Sequence, residues 1–378
     1  MPDNAIEKIF TVNLGVKKDE KVLVFTDLLE DPDTVPPEER KKREALVPLA
    51  KEVAEIGSAL CKTSYLEFPA VGSHGKEPPK SLWEAAFGSA AVSELEKRGT
   101  LEKILRKEAA ARDLSEAEGV IRELAESPDA IIALSNYSTS HTRFRDFLTR
   151  IKGVRYASMP LFEREMLAGA MTADWKEVER RTKRLVRMIS GADTAVITSH
   201  NGTSISFSIK GRDALPDTGI LIERGSFSNL PAGEAFLAPV EGTAEGVLIL
   251  EWAPTGRLHK PVELVVKKGT VVEVVGNDNF SRKLRERIEA NPLCGNIAEL
   301  GIGTNEKASR PDNILETEKI LGTVHIALGD NSSFGGKVSV PFHQDFIFFR
   351  PSFEVIKGEE KIEVLIEGEP RFEAEGIR

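Results

Sequence analysis

The chain changes character at Gly191, and that change limits the folds open to it. Ahead of Gly191, short apolar runs alternate with helical patterns. "KVLVFTD" (21–27), "ALCKTSYLEF" (59–68), "AIIALSN" (130–136) and "VRYASMP" (154–160) read as strands. Leu46, Leu49, Val53 and Ile56 recur at helical spacing between the first two, and "SLWEAAF" and "LEKILRKEAAARD" lie between the second and third. Strands that alternate with helices pair in parallel, with the crossovers covering both faces of the sheet. A further helix, "TADWKEVERRTKRLVRMISG", sets Trp175, Val178, Thr182, Leu185 and Ile189 on one face. Thr172 or Asp174 suits its start and Gly191 its end.

Past Gly191, strand follows strand. "DTAVITSHNGTSISFSIKGR" is two alternating runs around Asn201-Gly202, a strong hairpin signal. "GVLILEW", "VELVVKKGTVVEVVG", "VHIALG" and "DFIFFRPSFEVIKGEEKIEVLIEG" continue the series, with one helix at "SRKLRERIEA". The expected fold is α/β: a doubly wound parallel-sheet domain over 1–190, then an α+β domain rich in antiparallel strands over 191–378. A length of 378 residues, beyond the usual size of one core, agrees with two domains.

A net charge of −9 argues against nucleic acid or an anionic membrane as the main partner, since phosphate binding needs a basic footprint. Two cysteines, Cys61 and Cys294, are too few for a disulfide framework or a cysteine-rich zinc site. The first residues carry charges throughout and lack a signal-peptide core, and no apolar run reaches transmembrane length, so a cytoplasmic location is expected.

The chemistry concentrates in the second half. In "PFHQDFIFF" (341–349) strand alternation sends His343, Asp345 and Ile347 to one side, and Phe342, Gln344, Phe346 and Phe348 to the other. On a helix His343 and Asp345 would lie about 200° apart. A strand therefore brings an imidazole and a carboxylate to one point, an arrangement that suits a metal ion; the plainer reading is that Asp345 orients a structural His343. "GTVHIALGD" sets His325 inside a short apolar strand, where a lone histidine is commonly a core residue. "IAELGIGTN" holds Glu299 and "LPAGEAFLAP" holds Glu234, each within apolar surroundings. Buried glutamates need a partner or a metal. Three carboxylates and two imidazoles in one domain suit a pair of divalent ions bridged by water.

These stretches, "LPAGEAFLAPVEGTAEG", "AELGIGTN", "GTVHIALG" and "HQD", together with "SNYSTSHTRFR", resemble the aminopeptidase T/aminopeptidase S family of thermophilic metallo-aminopeptidases. The resemblance spans nearly the whole chain. It implies Glu234, Glu299, His325, His343 and Asp345 as ligands of two ions, zinc, cobalt or similar, in a homodimer acting on peptides. A metal-bound water would attack the scissile carbonyl, with Glu299 or Glu234 shuttling the proton. The chain departs from that family at one point: its peptidases carry a tyrosine near the metals, whereas Ser332 stands seven positions after His325. Tyr65, Tyr137 and Tyr156 all lie in the first half. His325, His343 and Asp345 alone form the two-imidazole, one-carboxylate set of mononuclear Fe(II) oxygenases, and the same superfamily includes an iron-dependent dioxygenase that cleaves dihydroxypyridine. A protein that has kept the fold without turnover is a third reading.

Other histidines carry weaker signals. His141 lies in a hydroxyl-rich stretch after a strand, a ligand position in doubly wound folds or simply a helix cap. His200 belongs with the hairpin turn, and His74 and His259 with polar loops. No phosphate-binding loop, dinucleotide fingerprint, serine-hydrolase elbow or HExxH zinc motif is present.

Overall fold

The computed structural model describes residues 2–29, 35–253, 256–313 and 315–373. The chain forms two compact units, one of Met1–Thr172 with Gly219–Leu230 and one of Ala173–Thr218 with Pro231–Arg378.

The first unit is built on a parallel sheet, in the order Lys62–Pro69, Lys21–Leu28, Ala130–Ala133, Arg155–Ser158, Phe227–Asn229. Leu23, Phe25, Ile131, Ala133 and Tyr156 point to one face and bury Trp83, Phe87, Phe144 and Phe147 there. Val22 and Val24 alternate with them. Helix Leu46–Leu60 packs on Lys21–Leu28 and Lys62–Pro69, burying Leu46, Leu49 and Val53 as its spacing predicts.

The division falls elsewhere than the expected boundary at residue 190, in two respects. Helix Trp175–Ile189 belongs to the second unit, where Leu185 and Ile189 enter the core and Thr182 Oγ1 lies 2.6 Å from Thr304 Oγ1. Gly219–Leu230 returns to the first unit and supplies its last parallel strand. Asp174 caps the helix by accepting the N–H groups of Lys176 and Glu177, so the sequence reading of its ends stands.

Among the described residues the second unit holds two antiparallel sheets. The larger runs Thr270–Val275, Gly256–Lys267, Glu245–Ala253, Ser204–Ser208, Thr194–Thr198, Ser352–Lys357, Glu360–Ile366, Glu369–Pro370. The smaller runs His343–Phe348, Val324–Gly329, Ile297–Gly303, Glu234–Leu237, Leu215–Asp217. Their inner faces share one core: Leu248, Val262, Phe207 and Val355 from the larger, and Leu237, Leu300, Ile302, Ile326, Phe346 and Phe348 from the smaller. His259 lies on the strand Gly256–Lys267 rather than in a loop.

Candidate metal centre

Alternation along the smaller sheet sorts its residues by chemistry. Leu237, Leu300, Ile302, Val324, Ile326, Leu328, Phe346 and Phe348 face the core. The residues between them form the opposite face, and the register aligns them in rows. Asp217 pairs with Glu234 and Glu234 with Gly303. Phe236 pairs with Gly301, Gly301 with His325 and His325 with Ile347. Glu299 pairs with Ala327, Ala327 with Asp345 and Gly329 with His343. A bulge between Ile297 and Glu299 lets Ile297 join the core while Glu299 keeps the ionisable face. Small residues separate the functional ones and leave them room. A Cβ at Gly301 would stand 2.0 Å from His325 Cε1 and Nε2, so only glycine admits the ring.

Four of the five expected ligands converge closely. Glu299 reaches both imidazoles, with Oε1 3.3 Å from His325 Nε2 and Oε2 3.5 Å from His343 Nε2. Asp345 Oδ1 lies 3.5 Å from His343 Nε2. One donor atom from each of Glu299, His343 and Asp345 falls within 4.8 Å of the others. The His343 Nδ1 lies 2.8 Å from the Asp330 carbonyl oxygen; donating its proton there leaves the Nε2 lone pair facing the cluster. The fifth, Glu234, is differently engaged: its Oε1 accepts from Lys319 Nζ at 2.5 Å, and its Oε2 lies 3.4 Å from His325 Nε2.

Three further ionisable groups complete the cluster, and none was expected from the sequence. Lys319, 1% exposed, ends the short turn Thr317–Lys319. Its ammonium lies 3.2 Å from Glu318 Oε2 and 3.7 Å from Asp217 Oδ2. Glu318 in turn hydrogen-bonds Asp345. "LETEKILG" looks like a solvated charged loop. Its only clue to burial is that it runs directly into the strand of His325. Beside His343 stands an aromatic pair, Phe334 at 6.0 Å from the imidazole and Phe236 at 5.8 Å from Phe334.

Five carboxylates thus share one lysine and two imidazoles. Burial pulls His325 toward neutrality, but Glu299 and Glu234 outweigh it and push the ring up to about 9. Burial is likewise outweighed at His343, which Asp345 and Glu299 push up to about 10. Asp345, against its burial, is held far below the usual carboxylate range by His343. Burial and the Asp345 charge push Glu318 up to about 8. Glu234 is raised by burial despite Lys319, and Lys319 is raised, against burial, by Glu234, Glu318 and Asp217. The cluster draws in protons because it lacks positive charge, and a divalent ion answers the same need. Glu234 Oε2 and His325 Nδ1, both buried, have no hydrogen-bond partner. The mixed oxygen and nitrogen donors therefore fit a metal ion.

A parallel-sheet unit, an antiparallel unit and this cluster in the latter define a two-unit α/β protein with a candidate metal centre. Residues 88–356 match the family model of 2,5-dihydroxypyridine 5,6-dioxygenase (NicX), and the chain belongs to that family. The fold is similar to that of 2,5-dihydroxypyridine dioxygenase from Pseudomonas putida KT2440, with a TM-score of 0.67 and 18% identity over 98% of this chain and 96% of that one. It is also similar to wild-type AmpT from Thermus thermophilus, with a TM-score of 0.55 and 16% identity over 98% of each chain. No curated protein sequence matches. The family match corrects the order of the two sequence readings, placing the dioxygenase ahead of the aminopeptidase.

The remaining histidines take structural positions. His141 is exposed beside Thr142, whose hydroxyl caps helix Arg143–Asp146. His200 pairs with Glu367 at 3.2 Å on the surface, and His74 accepts the Ser138 N–H at 3.1 Å. No helix is long and apolar enough to cross a membrane among the described residues.

Proposed function

We propose that this chain is a mononuclear Fe(II) dioxygenase that opens a dihydroxylated pyridine ring. The observation that carries the reading is the single compact donor group of Glu299, His343 and Asp345, with His325 joined to it through Glu299. These four residues would hold the ion, His325 and His343 as the two imidazoles. When bound, Fe(II) supplies the one-electron chemistry that lets dioxygen react with an electron-rich ring. Phe236 and Phe334 offer aromatic surface beside His343 for a planar substrate. Asp330 fixes the His343 ring through its carbonyl. Glu318, raised by burial and the Asp345 charge, hydrogen-bonds Asp345 and stands beside it as the acid–base group.

This replaces two zinc or cobalt ions by one Fe(II), peptides by a hydroxylated N-heterocycle, and a glutamate proton shuttle by Glu318. Glu234, tied to Lys319, supports the centre rather than ligating the iron. The second unit is then the catalytic one. The homodimer implied by the resemblance remains part of the proposal, and light scattering checks it.

The test is direct. Protein reconstituted anaerobically with Fe(II) is mixed with 2,5-dihydroxypyridine and air-saturated buffer while oxygen uptake and ring absorbance are followed. The expected result is one dioxygen consumed per ring lost. Release of p-nitroaniline from Leu-p-nitroanilide with Co²⁺ or Zn²⁺, without oxygen uptake on the pyridine, would overturn the reading and restore the aminopeptidase.

A further inference from the structure

We propose that Lys319 is a resident cation in the place of a second metal ion, and that it limits this centre to one. The inference rests on the mononuclear reading above. Three carboxylates from separate segments surround the ammonium: Glu234 at 2.5 Å, Glu318 at 3.2 Å and Asp217 at 3.7 Å. A second observation ties this position to the centre. Glu234 is 6% exposed; one of its oxygens takes the ammonium, while Oε2, without a hydrogen-bond partner, faces the His325 Nε2 at 3.4 Å. One carboxylate therefore joins two adjacent places for positive charge, as carboxylates do between paired ions about 3.5–4 Å apart.

The lysine arrives there through the backbone. A Cβ at Gly303 would stand 2.0 Å from the Ile320 carbonyl oxygen and 2.8 Å from the Lys319 carbonyl carbon, so glycine lets the loop lie against the sheet. The Asn305 N–H donates to the Lys319 carbonyl at 2.9 Å and fixes it. An ammonium balances carboxylate charge and donates hydrogen bonds, but it accepts no lone pair. It therefore cannot coordinate a water and lower its pKa as a second metal does. With the ammonium removed, Asp217, Glu234 and Glu318 form an oxygen-rich group beside the first ion, the donor set of a hard divalent cation.

The experiment measures metal stoichiometry. Chelated wild type, Lys319→Ala, Lys319→Met and Lys319→Arg are titrated with Mn²⁺, and bound metal is counted by mass spectrometry after gel filtration. Wild type and Lys319→Arg are expected to hold one ion per chain, and Lys319→Ala and Lys319→Met two. Metal-free Lys319→Ala is further expected to melt below wild type and to recover as the second equivalent of Mn²⁺ binds. Lys319→Met, which keeps the stem's volume, serves if the alanine variant fails to fold. One ion in wild type and one in both neutral variants would overturn the role of the lysine while leaving the mononuclear reading intact. Two ions in wild type would overturn both. No ion in wild type would strike the mononuclear reading, and a neutral variant that then gained one would still uphold the role of the lysine.

Discussion

Both units bury carboxylates, and these are satisfied in two ways: by backbone N–H groups or by other ionisable side chains. Glu316 of the second unit takes the first way, accepting the N–H groups of Ser309 at 2.6 Å and Arg310 at 3.2 Å. In the parallel-sheet unit, Asp27 accepts the N–H groups of Asn136 at 2.5 Å and Tyr137 at 3.1 Å. Glu77 accepts those of Arg143 at 2.6 Å and Phe144 at 3.1 Å. Both carboxyls are raised by burial, and each uses its oxygens to fix a loop or a helix start. In the cluster of the second unit the carboxylates meet imidazoles, an ammonium and one another, and Glu234 Oε2 and His325 Nδ1 have no hydrogen-bond partner among the described residues. Carboxylates bound to backbone amides serve architecture. Those turned toward each other across open atoms suit a cation.

The comparison is tested most severely at Asp345. Asp345→Ala is expected to keep the fold and lose bound iron, with affinity falling by more than about 100-fold, the upper end of what even an outer-sphere partner contributes. Metal analysis and circular dichroism check it, and full iron content in the variant would erase the distinction. Asp27→Ala should behave in the opposite way. The buried Asn136 amide loses its acceptor, at about 1–3 kcal/mol, and the half-buried Tyr137 amide loses its own, so the melting temperature falls and amide exchange at both quickens while iron content holds. The smallest effect concerns His74. Burial and nearby Arg43 hold its pKa below the ordinary histidine value, and its Nδ1 accepts the Ser138 N–H only while unprotonated. Its folded-state pKa being the lower one, its contribution is present above about pH 6.5 and is lost as pH falls through the folded value. Urea melts of wild type and His74→Gln between pH 7.5 and 5 should show the variant losing less stability on acidification.

Much of this was legible in the sequence, because periodicity records burial. The β-α alternation gave the parallel sheet, Asn201-Gly202 sits between antiparallel strands Thr194–Thr198 and Ser204–Ser208, and Asp174 caps its helix. His343 and Asp345 share a face as strand alternation requires. The parts that escaped depend on contacts distant in sequence. Apart from its run into the strand of His325, nothing local marks Lys319 as buried, since a charged turn reads alike whether it meets water or a ring of acids. Asp217, in "LPDTG", reads as an ordinary turn residue until its strand pairs with Glu234. The return of Gly219–Leu230 to the first unit is likewise invisible to any local pattern.

Gly301 and Gly303 carry no functional group, yet they act as the mould in which the others are cast. The first makes space for an imidazole and the second for a loop. An alanine at 301 would push His325 aside, and one at 303 would lift Lys319 away from its acids, with every ionisable residue still in the sequence. Among proteins built this way, chemistry can therefore diverge through two hydrogen atoms that an inventory of ligands would never register.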